Sequence, residues 1–122
     1  MIFATPLLEG GENMFVNLTP HAVNYIRDDN SVETLPSQGV ARAAQTTVLV
    51  GEIEGRLITK SSYGAPVDLP EPVAGVYLIV SLATVNAAKQ FGRSCDDLLI
   101  VNETVRDDAG RIIGCRSFGV VD

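Results

Sequence analysis

The chain has 122 residues, of which 46% are hydrophobic and 20% charged, and its formal net charge at pH 7 is −6. This length suits one globular domain, and the hydrophobic fraction excludes a disordered chain. The acidic surplus argues against a nucleic-acid polymer as partner, because proteins that bind nucleic acids usually present a basic face. No apolar run reaches the ~20 residues of a membrane span, and no secretory signal is recognisable, so we expect a cytoplasmic protein without a membrane partner.

The cysteine and histidine content limits metal chemistry. Cys95 and Cys115 lack the spacing of metal ligands and form no disulfide framework, which suits a reduced compartment. His21 is the single histidine and cannot form a multi-histidine site. We therefore expect neither a metal ion nor a cofactor.

Residues 1–13 differ from the rest of the chain. A loop-like Glu-Gly-Gly-Glu-Asn sequence at 9–13 directly precedes Met14. A purine-rich ribosome-binding site gives this kind of sequence when it is translated. We therefore expect Met14 to be the usual start, residues 1–13 to be an upstream extension, and residues 14–122 to be a single domain. The alternative is an arm that packs on a neighbouring copy.

The first half of the chain consists of short β-rich segments separated by turn residues. Pro20 interrupts the first segment, because proline cannot donate a ladder hydrogen bond, and residues 28–30, 36–39 and 54–55 have turn compositions. The pattern predicts strands at 14–18, 22–26, 31–35, 40–45, 46–53 and 56–60. Turns at intervals of about ten residues favour an antiparallel sheet or an open barrel.

The strongest local signal is a strand that leads directly into a helix. Residues 76–80 are continuously apolar, which predicts a strand covered on both faces. Ser81 is a candidate N-cap, apolar residues then recur at helical spacing, and Gly92 is a candidate stop. The sequence thus predicts an α+β fold, mainly an antiparallel sheet or open barrel of short strands, with one principal helix at about 81–91.

Two further segments complete the predicted fold. Residues 61–72 contain three prolines and predict an extended surface loop before the central strand. After the helix, residues 98–101 predict another apolar strand. A final hairpin turns at residues 107–110, and its second strand occupies residues 111–121.

The start of the predicted helix is a candidate anion site. Its free backbone N–H groups, with the hydroxyls of Ser81 and Thr84, suit a phosphate. Seven of the nine basic residues are arginines, whose guanidinium groups suit phosphate-bearing ligands. Gly114 shares a predicted strand face with Arg116 and would let a ligand approach the backbone. The candidate ligand-binding residues are Ser81, Thr84, Arg93, Arg106, Arg116, Tyr63 and His21.

Two points about this candidate pocket remain open. Either Tyr63 or Tyr77 would supply the aromatic ring that stacks on a nucleotide-like ligand. Alternatively, the arginines pair with the surplus of acidic groups on a solvated surface and form no pocket.

His21 and Cys115 are the residues on which an enzyme would depend. Asn17 and Thr19 precede His21 in a turn and would fix its direction, and the imidazole could then act as base for the Cys115 thiol. Alternatively, His21 is a hydrogen-bonded structural residue and Cys115 a small buried hydrophobe. The paired carboxylates are adjacent and not spaced for general acid–base catalysis, so we expect no enzyme.

Eight short segments occur in a specific order between Met14 and the C-terminus. They are Asn-Leu-Thr-Pro-His at 17–21, Val-Ala-Arg at 40–42, Tyr-Gly at 63–64, Leu-Pro-Glu-Pro at 69–72, the strand that ends in serine at 77–81, Asp-Asp-Leu-Leu at 96–99, Val-Arg-Asp at 105–107 and Gly-Arg-Ile-Ile-Gly-Cys-Arg at 110–116. In these segments the chain resembles a family of small proteins from phages, prophages and actinobacteria. The resemblance covers Met14 to the C-terminus and implies a phage-borne accessory protein more firmly than a reaction.

A fainter similarity connects the chain with phage proteins that capture immune signalling nucleotides, such as the Thoeris anti-defence proteins. These are small oligomers that bind cyclic ADP-ribose-like signals without cleaving them. The similarity implies a homo-oligomeric, non-enzymatic protein that sequesters a small phosphorylated signal of host immunity. The alternatives are a protein–protein interaction module that inhibits a host protein and a small enzyme that uses Cys115 or His21.

Overall fold

The computed structural model of the protein describes residues 13–121. The prediction for residues 1–13 therefore lies, apart from Asn13, outside the described residues. The elements in chain order are β1 (Met14–Asn17), β2 (Val23–Ile26), β3 (Val32–Leu35), β4 (Arg42–Ile53), β5 (Arg56–Val67), β6 (Val76–Ile79), α1 (Leu82–Gln90), β7 (Leu98–Arg106) and β8 (Ile112–Gly119).

The strand and helix of the strongest local signal form as predicted. Residues 77–80 are buried at every position. Ser81 caps α1, because its Oγ accepts a hydrogen bond from the Thr84 N–H at 3.2 Å. Gly92, just past the helix, has a φ of 82°, a conformation that favours glycine. With nine residues, α1 is nevertheless a small part of the fold.

Six strands form one curved sheet in the order β1-β6-β7-β8-β2-β3. β1, β6 and β7 run parallel to one another, while β8 is antiparallel to β7 and parallel to β2. The sheet nearly closes into a barrel. Asn17 at the end of β1 bridges to Ser37, and its Nδ2 donates to the Leu35 carbonyl at the end of β3 at 2.9 Å.

The curved sheet buries side chains on both sides. One cluster lies between the sheet and α1, and the other lies on the inner side of the curved sheet. The helix-side cluster comprises Leu18, Ala41, Leu78, Val80, Val85, Ala88 and Leu98, and the inner cluster comprises Tyr77, Ile79 and Leu99. Because successive residues of β6 point to opposite faces, this strand needs an apolar residue at every position.

β4 and β5 form a separate two-stranded sheet. Its base packs against α1, where the Thr84 hydroxyl donates to the Ala41 carbonyl at 3.1 Å. Every residue from 45 to 63 is exposed, and we call this segment the arm. Its large apolar side chains are Val48, Leu49, Val50, Ile53, Leu57 and Ile58, which are 38% to 68% exposed.

The predicted fold class is confirmed in its coarse form, because strands dominate, the sheet is nearly closed and a helix follows β6. Three details of the prediction are wrong. Three of the strand pairs are parallel, the segments at 40–45 and 46–53 contribute to one continuous β4, and residues 61–67 belong to β5 and not to a loop. Parallel pairs join segments that are distant in sequence, and local turn patterns do not reveal them.

Candidate functional site

A cavity of about 620 Å³ opens at the end of the sheet, between the β1–β2 loop and the β7–β8 hairpin. We call it the rim cavity. Its volume lies within the range of small-molecule sites, and most of its lining is apolar. The lining residues are Thr19, His21, Ala22, Val23, Asn24, Val101, Thr104, Ile112, Ile113, Gly114 and Cys115.

The β7–β8 hairpin forms one wall because it extends beyond the rest of the sheet. β7 pairs with β6 only at Leu98 and Leu99, and its remaining length pairs with β8. Glu103 has a φ of 47°, outside the β region. This local change explains why Val101 and Thr104 both line the cavity, although strict alternation would place residues three apart on opposite faces.

The β1–β2 loop forms the opposite wall, and the Asn17 side chain holds it in place. Asn17 is 1% exposed. Its Oδ1 accepts hydrogen bonds from the N–H and the hydroxyl of Thr19, and its Nδ2 donates to the carbonyl of His21 at 2.8 Å. The expectation that Asn17 and Thr19 satisfy the turn backbone is confirmed. The same bonds place His21 at the edge of the cavity.

Cys115 and His21 line the same cavity, as the enzyme alternative requires. The thiol, however, is in the wrong environment for a nucleophile. Cys115 is 1% exposed, and burial raises its pKa above the ordinary value of 9.0. The thiolate is the reactive form, so this cysteine is protonated and inert at neutral pH. Burial thus shifts the pKa of Cys115 in the direction opposite to the one that a cysteine nucleophile needs.

The Ser81 and Thr84 side chains at the helix start bond within the protein. Besides the Thr84 N–H, the Val85 N–H is bonded, since it donates to the Ser81 carbonyl at 3.1 Å. The Thr84 hydroxyl lies 2.9 Å from Ser81 Oγ and donates to Ala41. Thr84 is 0% exposed, so its side chain does not face an open surface.

The three predicted arginines have protein partners at different places in the fold. Arg93 forms an ion pair with Asp97 and donates to the Pro70 carbonyl. The Arg106 guanidinium donates to the Gly110 carbonyl within its own hairpin at 2.7 Å. Arg116 donates to the Arg27 carbonyl and, at 3.0 Å, to Asn30 Oδ1.

Ser81, the arginines and an aromatic ring therefore do not converge on one pocket. Tyr63 lies on the arm, 62% exposed, opposite Gln45. Tyr77 is buried inside the curved sheet, with its ring centre 5.8 Å from that of Phe15. Of the predicted ligand-binding residues, His21 alone lines the rim cavity.

The space where Gly114 lacks a side chain is filled by another strand of the protein. A Cβ at this position would lie 2.7 Å from Ile26 Cδ1 and 2.9 Å from the Asn24 carbonyl oxygen. Both groups belong to β2, the parallel neighbour of β8. The predicted close approach is real, but β2 occupies the space that was assigned to a ligand.

Sequence reasoning missed the apolar walls of the rim cavity. Ile112 and Ile113 are adjacent in β8 and 55% and 47% exposed, and Val101 on β7 is 38% exposed. Consecutive isoleucines at a strand end read as ordinary core residues. No local sequence pattern identifies these walls, because the neighbouring strand is fixed by a distant contact, in which Asn24 Nδ2 donates to the Ile113 carbonyl.

A second, smaller cavity of about 430 Å³ lies at the opposite end of the sheet. The rings of Phe15 and Tyr25 lie within 6.1 Å and 5.2 Å of the Phe118 ring, measured between ring centres, and form its apolar part. Arg27 and Glu33 also line it and form an ion pair at 2.8 Å. The two charged side chains of this cavity therefore bind each other and are not free to bind a ligand.

Comparison with protein-family models finds no match for the chain, and comparisons with curated proteins and with solved structures find none either. Within residues 13–121, no group of three or more His, Cys, Asp and Glu side chains is placed to hold a metal ion. The same residues contain no helix with the length and apolar character that crossing a membrane requires.

Proposed function

We propose that the protein is a non-enzymatic accessory protein that sequesters a small ligand in the rim cavity. The observation that carries the proposal is the cavity itself, an apolar recess of about 620 Å³ with a few polar groups at its edge. Such a lining binds the body of a small molecule by burial and orients it through a few hydrogen bonds. Thr19, His21 and Thr104 supply these polar groups.

The ligand class is the phosphorylated, nucleotide-like signal that the fainter similarity to the Thoeris anti-defence proteins implies. The lining described above includes no arginine or lysine, so the cavity suits the uncharged ring of such a ligand and not its phosphate. The phosphate would lie on the open side. Arg106 follows Thr104 by two residues on the same strand, and its guanidinium is exposed and bonded only to a carbonyl within the hairpin in the contacts described above.

Isothermal titration of the full chain with cyclic ADP-ribose isomers, cyclic dinucleotides and unphosphorylated adenosine tests this function. We expect heat with a phosphorylated member of the panel and weaker binding of adenosine. Denaturing the complex should release the ligand intact, because the buried Cys115 thiol is not a nucleophile. No heat with any member of the panel, or a converted ligand, would contradict the proposal.

A matched pair of isoleucine variants locates the site. Ile113 lines the cavity and Ile58 lies on the arm, and the two side chains are 47% and 38% exposed. We expect Ile113→Gln to weaken ligand binding by about tenfold or more, because it places an amide where the ring packs. Ile58→Gln should leave binding unchanged. Equal effects of the two substitutions would exclude the rim cavity as the site.

A protein–protein interaction module that inhibits a host protein is the second candidate, and the arm favours it. Its cluster of exposed apolar side chains is larger than scattered surface residues explain. In this case Leu57→Gln, on the arm, would abolish stoichiometric retention of one purified host protein, and Ile113→Gln would not. Retention that survives both substitutions would exclude this candidate.

A further inference from the structure

The arm leaves two long strand edges without a neighbour in the described part of the chain. β4 and β5 pair with each other over twelve residues each, and residues 45–63 are exposed throughout. A two-stranded hairpin is marginally stable in water by itself, and three or more strands are normally needed. We propose that a second copy of this chain pairs with the arm, β4 against β4 and antiparallel, about a twofold axis that passes through Thr47.

The two edges of the arm differ in their protection against pairing. β5 carries Arg56, Lys60 and Pro66, and lysine and proline are the residues that natural sheets use to block edge pairing. β4 carries no charged residue and no proline between Arg42 and Glu52. The β4 edge is therefore the one that accepts a further strand.

The register follows from the regular part of β4. Residues 45–49 pair with β5 without interruption, between two register shifts at Ala44 and Val50. Thr47 is the centre of this run. With the twofold axis there, Thr46 lies opposite Val48 of the second copy and Thr47 lies opposite Thr47, and β-branched and Thr–Thr pairs of this kind stabilise antiparallel sheets.

The charges at the two ends of β4 support the same register. Arg42 and Glu52 lie at equal distances from Thr47 along the chain. The twofold axis therefore places Arg42 of each copy opposite Glu52 of the other. Pairing of β5 with β5 would instead bring Arg56 and Lys60 of the two copies together, and like charges directly opposite destabilise a sheet.

The ion pair of Arg42 with Asp68 does not prevent Arg42 from pairing with Glu52 of the second copy. Arg42 forms an ion pair with Asp68 at 3.2 Å, and the two side chains are 59% and 69% exposed. An ion pair so exposed contributes little to stability. Arg42 can therefore move from Asp68 to a carboxylate of the second copy with little loss.

Charge reversal at the two ends of β4 tests the pairing by sedimentation of the full chain from about 1 μM to about 1 mM. The unmodified protein should form dimers. Arg42→Glu alone and Glu52→Arg alone should each weaken dimerisation by about tenfold or more, because like charges then face each other at both ends. An equimolar mixture of the two variants should dimerise again, because every facing pair in the mixed dimer has opposite charges.

The outcomes of this experiment are distinct. A protein that stays monomeric, or variants that sediment like the unmodified protein, would overturn the proposal. Failure of the mixture to recover would overturn this register. We expect unchanged far-UV circular dichroism in each variant, because both positions are exposed, and this shows that loss of the dimer is not loss of folding. The melting temperature should fall together with the dimer, because association stabilises the folded state.

Cross-linking provides a second, independent test. Thr47→Cys should form a covalent dimer under mild oxidation, because the twofold axis places the two thiols within disulfide distance. Thr59→Cys, on β5, is the matched control and should remain monomeric in denaturing gels without reductant. Equal cross-linking of the two variants, or none with Thr47→Cys, would contradict the proposal. Ligand binding in the rim cavity does not enter either test.

Discussion

Arg93 and Asp97 form a two-point ion pair in which both guanidinium Nη atoms donate to the carboxylate oxygens at 2.9 Å. The side chains are only 9% and 11% exposed. Arg93 also donates to the Pro70 carbonyl, so the pair connects the end of α1, the start of β7 and the loop before β6. An arginine held in this way is part of the framework and is not free to bind a ligand.

Removing one member of this pair should destabilise the fold. We expect Asp97→Ala to lower the free energy of unfolding by about 3 kcal/mol, because it leaves the Arg93 guanidinium largely buried without its counter-charge. Urea denaturation measures the change. Glu33→Ala breaks the exposed pair with Arg27, 47% and 48% exposed, and should cost about 1 kcal/mol or less. Similar losses in the two variants would contradict this account.

Gly114→Ala should destabilise the protein because β2 occupies the space of the added methyl group. We expect a loss of about 1–3 kcal/mol, since Ile26 and the Asn24 backbone must both move. Gly51→Ala is the control, because a Cβ there meets nothing within 4 Å, and it should leave stability nearly unchanged. Ile26→Val should recover part of the loss in the double variant. A neutral Gly114→Ala would show that the two strands do not approach so closely.

Thr84→Val tests the connection between the helix start and Ala41, the residue before β4. The substitution preserves shape but removes the hydroxyl that donates to Ala41, so we expect a loss of about 1–3 kcal/mol in denaturant unfolding. Thr59→Val, on the exposed arm, should change stability by about 0.5 kcal/mol or less. If Thr84→Val instead weakened ligand binding without loss of stability, the helix start would be the ligand site after all.

The Cys115 thiol should resist alkylation in the folded protein. In a Cys95→Ser background, we expect iodoacetamide to react with native Cys115 about tenfold or more slowly than with the urea-unfolded chain at pH 8, because burial restricts access and raises the pKa. Mass spectrometry of timed samples measures both rates.

The raised pKa of Cys115 should make the free energy of unfolding depend on pH in the alkaline range. Because the folded pKa of Cys115 lies above its ordinary value of 9.0, the contribution is fully present below pH 9.0 and is lost as the pH rises through the folded pKa. Cys115→Ala should therefore reduce the alkaline loss of stability. Fast alkylation of native Cys115 at neutral pH would favour the enzyme alternative again.

Features that depend on residues close together in the chain were predicted better than features that depend on residues far apart. The β6–α1 unit was predicted closely, because its apolar run, its N-cap and Gly92 act on neighbours in the chain. The Asn17 turn was also predicted, although its bond to Leu35 across the sheet was not. The long β4 was missed because its middle is polar and exposed, so that it reads as two short strands.

The sequence by itself determined the α+β class, the strand–helix unit at its centre and the hydrogen-bonded turn that places His21. Each of these depends on residue identities within a few positions of one another. Only the tertiary structure decided that Arg93 binds Asp97 and Pro70, that β2 fills the space beside Gly114, and that Cys115 is buried next to the rim cavity. These features depend on which distant segments become neighbours when the sheet curves. Local sequence patterns do not predict those contacts.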